Sequence, residues 1–333
     1  MNDGDIIIRT ANSQDEDRIL KLLNEVFLQQ QRSKGSSRDS TFWKWKYENN
    51  PFGKAILHVA EKDGELLATG TLLPWKLIYN GYRINCFQNC DMVVAPKARG
   101  KGIFKKILKK RYDEASDKQA DLIFSFPNEQ SLPVYSKMGW YIVGKIPWMV
   151  RILRPLTVTY GMIQNKQSEK LSVPDHLSID ENKVNALHLG GANHTGFLHT
   201  EVTRDYLKWR YVNHPTRSYG IIMLKEGNSV KSSAIFTLSN KHTMKEMVLT
   251  ELLGNQENTT PLMKMVIREA KKMKVGYIAV MNQPSKKIKS LWKLGFIPRK
   301  EKNLVCYPIN PDIKPMCTDI KVWDLSAGMH DSI

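Results

Sequence analysis

Cysteine is scarce in this chain, with four in 333 residues. None of them forms a Cys-x-x-Cys pair, and no histidine stands near one at the spacing of metal ligands, which argues against a zinc site and a disulfide framework. Such cysteine usage is typical of a cytoplasmic protein. We therefore expect no metal, and free, buried thiols at Cys86, Cys90, Cys306 and Cys317.

Long apolar runs are also missing. No segment approaches the roughly 20 apolar residues that a membrane-spanning helix needs. The first five residues are acidic and lack the basic-then-apolar order of a signal peptide. We expect no membrane insertion and a cytoplasmic location.

Acidic residues are too few to balance the basic ones. The chain has 33 Asp and Glu against 50 Lys and Arg, a net charge of +17. Such an excess attracts anions such as phosphates, nucleic acid or anionic lipid. The excess is densest over 97–111, which holds no acid and eight basic residues, Lys97, Arg99, Lys101, Lys105, Lys106, Lys109, Lys110 and Arg111.

A glycine-containing turn lies inside this basic stretch. The preceding run 89–94 reads as a strand, and the spacing of Ile103, Ile107 and Leu108 predicts a helix after the turn. A helix start offers unpaired N–H groups, and glycines let an anion approach them closely. The pattern lacks the Gly-Lys-Ser/Thr of a nucleotide-triphosphate loop and the triple glycine of a Rossmann turn. The stretch therefore predicts a pyrophosphate cradle of another kind.

Arg99, Gly102 and Phe104 fall at the spacing Gln/Arg-x-x-Gly-x-Gly/Ala. This stretch resembles the acyl-CoA signature of the GNAT superfamily of N-acyltransferases, with Phe in place of the small last residue. Two further features match that family: Asn128 after the strand 122–126, and Tyr135 four residues before Gly139-Trp140. The resemblance covers roughly residues 5–150.

The resemblance implies an α/β fold with an α+β mixed sheet. In it, strands 89–94 and 121–126 splay apart and admit the pantetheine arm of acetyl-CoA, the expected cosubstrate. Tyr135 would be the catalytic acid that protonates the departing thiolate. The cofactor would lie against Met92, Val93, Val94, Arg99, Gly100, Lys101, Gly102, Ile103, Phe104 and Asn128.

The general base is sought among carboxylates of the central strand. Asp91 lies eight residues before Arg99 in an otherwise apolar run. A carboxylate there needs a polar cleft or a partner, and in such a place we expect its pKa to rise to a useful value. A hydrogen-bonded structural aspartate is the open alternative. His58 is a second candidate, or a structural histidine.

The second half of the chain repeats parts of the first. Residues 41–51 align with 205–215 at five identities in eleven positions. This recurrence favours a core role for the aromatic residues Trp45 and Tyr47. Further on, the second copy places Gly295-Phe296 where the first has Gly139-Trp140, and Asn282 where the first has Asn128.

The second copy has lost the chemistry. Residues 254–261 hold no Arg-x-x-Gly-x-Gly, and Leu291 stands in the place of Tyr135. A length of 333 residues suits two domains. We therefore expect two tandem GNAT-like domains: a catalytic domain over 1–154, a polar linker over 155–174 and a degenerate domain over 175–333.

Local patterns give the expected elements of the first domain. Ser13 to Glu16 reads as a capping box that opens a helix over 14–30. Two hairpins follow, 56–60 with 66–73 and 77–79 with 82–84. The order strand–helix–helix, meander and β-α-β-α-β is that of the family.

The function expected from these features is acetyl-CoA-dependent N-acetylation of a small-molecule amine, with an amino sugar as one candidate. The alternatives are an aminoacyltransferase of the peptidoglycan type that uses charged tRNA, and a non-catalytic CoA-binding regulator. The intact loop at 99–104 favours the first, so we expect no nucleic-acid partner. The acceptor, the oligomeric state and the role of the C-terminal residues are left open.

Overall fold

The computed structural model describes residues 5–30, 38–155, 169–189, 194–241, 244–281 and 288–330. The chain divides into two compact units that do not follow the two halves of the sequence. Unit 1 comprises Met1–Leu77, Arg83–Gly144 and Asn303–Asp319, and unit 2 comprises Ile78–Tyr82, Lys145–Lys302 and Ile320–Ile333. The four cysteines are free and buried, as predicted.

Unit 1 is a mixed sheet with helices. Its elements are β1 (Ile7–Thr10), α1 (Glu16–Gln30), α2 (Ser40–Trp43), β2 (Ile56–Lys62), β3 (Glu65–Tyr79), β4 (Tyr82–Val94), α3 (Ile103–Asp117), β5 (Leu122–Ser125), α4 (Leu132–Lys137) and β6 (Tyr141–Ile152), the last of which continues into unit 2. Antiparallel pairs join β1 to β2 and β2 to β3, and a parallel pair joins β4 to β5. The two predicted hairpins are a single meander, because β3 and β4 each run unbroken through the positions assigned to two strands.

Helix α1 follows a short 3-10 turn. The cap is Asn12, whose side chain accepts from the Gln14 N–H while Asp15 accepts from the Asn12 N–H. The predicted box at Ser13 and Glu16 is therefore one position off, because the 3-10 turn at 13–15 precedes the α-helix. The inner face of α1 packs its apolar stripe, Ile19, Leu22, Leu23 and Val26, into a core with β2, β3 and α3.

Unit 2 repeats this plan. Its elements are β7 (Glu169–Leu171), α5 (Glu181–Asn185), β8 (Leu198–Thr200), α6 (Arg204–Leu207), β9 (Tyr219–Glu226), β10 (Ser229–Lys241), β11 (Met244–Gly254), α7 (Thr259–Lys272), β12 (Tyr277–Met281) and β13 (Ile297–Pro308), and α8 (Lys314–Cys317) follows in unit 1. The parallel pair β11–β12 corresponds to β4–β5. Part of the segment expected as a linker is a strand, since β7 pairs with β10.

The two halves of the chain exchange their last strands. Within unit 1, β5 pairs with residues 305–308 of β13; within unit 2, β12 pairs with residues 148–152 of β6. Val305 is buried in the core of unit 1, and Tyr307 stacks on Tyr112 with 4.3 Å between ring centroids. The chain crosses between units inside β6 and inside β13, so the predicted boundaries at 154 and 175 do not match this division.

The repeat at 41–51 and 205–215 is structural. In each copy a four-residue α-helix, α2 or α6, runs into a π-helical turn, Lys44–Glu48 or Lys208–Val212. Each turn ends with the same backbone bond, from Asn49 to Lys44 and from Asn213 to Lys208, both 2.8 Å. Trp45, Tyr47 and their counterparts Trp209 and Tyr211 are buried, which is the predicted core role.

Candidate functional site

The basic turn has the geometry of an anion cradle. Gly100 and Gly102 have φ of 80° and 72°, which only glycine adopts at little cost. Gly102 is the N-cap of α3, and the first i to i−4 bond of the helix runs from Lys106 to Gly102. The N–H groups before Lys106 therefore precede the intrahelical ladder, at the positive end of the helix dipole.

Most of the predicted cofactor residues lie in this turn or in the strand and helix that flank it. Met92, Val93 and Val94 form the end of β4, and the Arg99 Nε donates to the Val94 carbonyl at 3.4 Å. Lys101 is exposed beside the turn, and Ile103 is buried beneath it. Phe104, the departure from the family pattern, packs edge-on against the Tyr135 ring at 5.7 Å. Asn128 accepts from the Ser131 N–H at 2.9 Å, so its side chain holds the start of α4.

Strands β4 and β5 separate beside the turn. Their parallel register runs from Cys86↔Leu122 to Gln88↔Phe124. β5 then ends at Ser125, while β4 continues to Val94. In unit 2 the equivalent register continues one pair further, to Leu249↔Val280. The opening between the strands of unit 1 therefore begins at Asn89 and Ser125, which agrees with the predicted splay.

Tyr135 lies at this opening and belongs to a buried polar chain. Its hydroxyl oxygen accepts from the Asn89 side-chain amide, and the Asn89 oxygen accepts from Arg111. Burial raises the pKa of Tyr135, against the opposing effects of a hydrogen bond with Ser125 and the charge of Arg111. The hydroxyl therefore carries its proton at neutral pH, as an acid for the leaving thiolate must.

Asp91 differs from the predicted base. It lies on β4 with φ of 46°, and its carboxylate pairs with the Lys46 ammonium at 2.5 Å and accepts from the Tyr47 hydroxyl at 2.8 Å. Burial raises its pKa, but the charges of Lys46 and Arg38 outweigh burial and lower the pKa to about 2. The expected upward shift is wrong, because the sequence did not reveal that Lys46 reaches this carboxylate. At neutral pH Asp91 is a weak proton acceptor.

His58 is fully buried, and its Nε2 lies 3.0 Å from the Glu114 carboxylate. Burial, followed by the charge of Arg111, lowers its pKa to about 4. His58 is therefore neutral at pH 7.

Unit 2 has a counterpart of Asp91 without a cofactor turn. Glu251 precedes the 3-10 turn 256–258 by the same five residues as Asp91 precedes 96–98, and it accepts from the Tyr211 hydroxyl at 2.8 Å. In unit 2 the C-terminal segment contacts Glu251 and the neighbouring Arg210. Ser326 donates to Glu251 at 2.9 Å, and Arg210 donates to the carbonyls of Gly328 and His330. Glu251 and Tyr211 thus repeat the contact between Asp91 and Tyr47 in the unit that lacks the cofactor turn. This recurrence indicates a structural role for the pair.

The remaining predicted parallels can also be placed. Leu291 occupies the place of Tyr135: the Phe296 N–H donates to its carbonyl as the Trp140 N–H donates to that of Tyr135. Asn282, the predicted counterpart of Asn128, lies outside the described residues.

A sequence model of the acetyltransferase (GNAT) domain matches residues 7–143, the part that carries the turn, the strand opening and Tyr135. Residues 7–143 belong to the GNAT superfamily. No curated protein sequence matches the chain.

Solved structures share the tandem GNAT-like fold along most of the chain. A GCN5-related N-acetyltransferase from Anabaena variabilis superposes with a TM-score of 0.64 at 13% identity, over 92% of this chain and 73% of that one. A probable N-acyltransferase from Enterococcus faecalis gives 0.66 at 11%, over 92% and 73%. N-myristoyltransferase of Saccharomyces cerevisiae with bound myristoyl-CoA gives 0.60 at 11%, over 92% and 83%. At these identities the likeness establishes the fold.

The described residues contain no group of three or more His, Cys, Asp or Glu suited to a metal ion. Among the same residues, no helix combines the length and apolarity needed to cross a bilayer.

Three residues of the polar chain and its surroundings, Asn89, Arg111 and Gly70, were not predicted as site residues. In the sequence, Asn89 is the first residue of the predicted strand 89–94, and Arg111 is one of the eight basic residues of 97–111. The helical spacing of Arg111 could have indicated its burial, because it falls in the buried series Ile103, Ile107, Arg111, Ala115 of α3. Gly70 on β3 leaves room for the guanidinium, since a Cβ there would overlap it.

Proposed function

We propose that this protein is an acetyl-CoA-dependent N-acetyltransferase that acts on the amine of a small molecule, with an amino sugar as one candidate acceptor. The observation that carries the proposal is the coincidence, in unit 1, of the anion cradle at 99–104, the opening between β4 and β5, and the protonated hydroxyl of Tyr135. The GNAT membership supports transfer from an acyl-CoA, and the cradle suits its phosphates.

The geometry supports direct transfer. When acetyl-CoA is bound it supplies a thioester for attack by the neutral amine. β4 extends beyond its last pair with β5, Gln88↔Phe124, and we expect backbone N–H groups of this part of β4 to stabilise the developing oxyanion. Tyr135 protonates the departing thiolate. Asp91 anchors the π-turn of residues 44–48 to β4, and the amine loses its proton to solvent.

The basic surface favours an anionic acceptor, for example an amino sugar linked to a phosphate. Arg99 and Lys101 carry charge at the turn, whereas the nearby Lys97 is paired with Glu65. Exposed charges are screened by salt, so KM for acetyl-CoA and for such an acceptor should rise with ionic strength.

The experiment is a thiol-release assay with a panel of amino sugars, aminoglycosides, polyamines and amino acids, each with acetyl-CoA and with myristoyl-CoA. We expect turnover with acetyl-CoA. Tyr135→Phe should lower kcat by ~10²–10⁴-fold with little change in acetyl-CoA binding, since general acid groups contribute that much. Tyr112→Phe is the matched control, because its hydroxyl accepts from Trp140 outside the polar chain. Turnover with myristoyl-CoA alone, or an unchanged kcat for Tyr135→Phe, would contradict the proposal.

A further inference from the structure

Arg111 is a charged residue in a part of the protein interior that is otherwise apolar. Its side chain is 0% exposed in the middle of the apolar seam of α3. The guanidinium contacts the Asn89 oxygen and the Met92 sulfur, and its Nε is buried with no hydrogen-bond partner among the described residues. It forms no ion pair within that part of the chain. A buried cation without a counter-charge is costly, so the position calls for a reason other than packing.

Unit 2 shows that the fold does not need this polar chain. The ends of α3 and α7 match, with φ of 53° at Gln119 and 58° at Lys274, which aligns Arg111 with Val266. The parallel registers of the two units align Asn89 with Leu249, and the Gly-aromatic turns align Tyr135 with Leu291. The three counterparts, Leu249, Val266 and Leu291, are buried together in one apolar core. Unit 2, which lacks the cofactor turn, thus has an apolar residue at each of the three positions.

In unit 1, hydrogen bonds connect Arg111 through Asn89 to Tyr135, and each bond has a defined donor and acceptor. Arg111 donates to the Asn89 oxygen, which fixes the orientation of that amide. The amide nitrogen then donates to the Tyr135 oxygen, so the tyrosine proton is directed elsewhere. Gly70 preserves the space for the guanidinium, since any β-carbon at this position would overlap it.

Building on the proposed function, we infer that Arg111 is a positioning residue that acts through Asn89 on Tyr135. In the transfer step the amine nitrogen bonds to the acetyl carbon, the carbon–sulfur bond breaks, and the Tyr135 proton passes to sulfur. A phenolate remains until solvent returns a proton, and the amine proton leaves to solvent. The Asn89 N–H and the Arg111 charge stabilise that phenolate, and such charge-assisted hydrogen bonds are strong in a dry site.

The test is a double-mutant cycle of Arg111→Met with Tyr135→Phe, followed by thiol release and by thermal unfolding. Met fits the apolar seam, so Arg111→Met should keep or raise the unfolding temperature. We expect it to lower kcat by about 10- to 100-fold with KM for acetyl-CoA nearly unchanged. In the Tyr135→Phe background the same change should cost less than about 2-fold, because there is no phenolate to stabilise.

Two further variants test the role of Arg111 in other ways. Gly70→Ala should displace the guanidinium and lower kcat in the wild-type background but not with Tyr135→Phe. The triple variant N89L/R111V/Y135L, which copies unit 2, should fold, bind acetyl-CoA and lose turnover. Additive losses in the cycle, or an unchanged kcat for Arg111→Met, would overturn the inference alone. Absence of turnover by the wild-type protein with every donor would overturn the proposed function and the inference with it.

Discussion

Replacing Asp91 distinguishes a structural role for this residue from a role as the general base. Both Asp91 and Lys46 are buried, with side chains 2% exposed. The pKa of Asp91 is lowered from 3.8 to about 2, which corresponds to about 2 kcal/mol of folding stability at neutral pH. This contribution is present above about pH 4 and is lost as pH falls through about 2. Asp91→Asn also strips the Lys46 ammonium of its carboxylate, and breaking a buried pair costs about 3–5 kcal/mol.

The assay combines urea unfolding with thiol release at saturating substrates. We expect Asp91→Asn to be less stable by about 3–5 kcal/mol, the cost of breaking the buried pair. The double variant K46M/D91N should recover most of this loss, because the buried Lys46 charge is removed with its partner, while Arg38, 3.6 Å from the Asp91 carboxylate, is partly exposed. Glu251→Gln is the matched control: burial raises the pKa of Glu251, so its charge contributes less, and Gln still accepts from Tyr211. If the folded double variant turns over, Asp91 is not the base. Normal stability of Asp91→Asn with a lost kcat would refute this reasoning and restore the base.

The exchanged strands predict that residues 1–154 expressed alone are insoluble, because β5 loses its pairing with β13 and Tyr112 loses its stack on Tyr307. Co-expression with 155–333 as a separate chain should restore solubility, whereas a soluble, folded 1–154 would contradict the exchange. Burial and Arg111 lower the pKa of His58 from 6.5 to about 4, so the unfolded chain takes up a proton before the folded one does. Stability should therefore fall as pH drops from about 6.5 to about 4, and His58→Gln should flatten this fall in urea midpoints; an identical slope would contradict it.

Much of unit 1 could be predicted from local sequence. The spacing of Ile103, Ile107 and Leu108 gave α3, and the glycines gave the turn before it, because helix periodicity and positive φ are local properties. The repeated Gly-aromatic pair placed Leu291 at the position of Tyr135 for the same reason. These features depend on a few neighbouring residues and needed no knowledge of the fold's long-range pairing.

Features that depend on distant partners could not be predicted. β6 and β13 both follow a Gly-aromatic pair, so nothing local tells which of them pairs with β5. The pKa of Asp91 depends on Lys46, 45 positions away along the chain. From the sequence, Arg111 is one of the eight basic residues of 97–111, six of which precede it between 99 and 110. The spacing of Arg111 after Ile103 and Ile107 indicates the buried face of α3, but the contacts of its guanidinium with Gly70 and Asn89 depend on the packing of α3 against β3 and β4.

A calorimetric titration with acetyl-CoA tests the central claim most directly, because it asks whether the turn at 99–104 is the cofactor site. Gly102→Asp places a carboxylate at the α3 N-cap, where it favours the helix but repels a pyrophosphate. Asp adopts the φ of 72° at some cost, but at a lower cost than most residues other than glycine. Asn258→Asp makes the matched change at the α7 N-cap. The account predicts one site per chain, lost in Gly102→Asp and retained in Asn258→Asp. Two sites, or one site that survives Gly102→Asp, would contradict it.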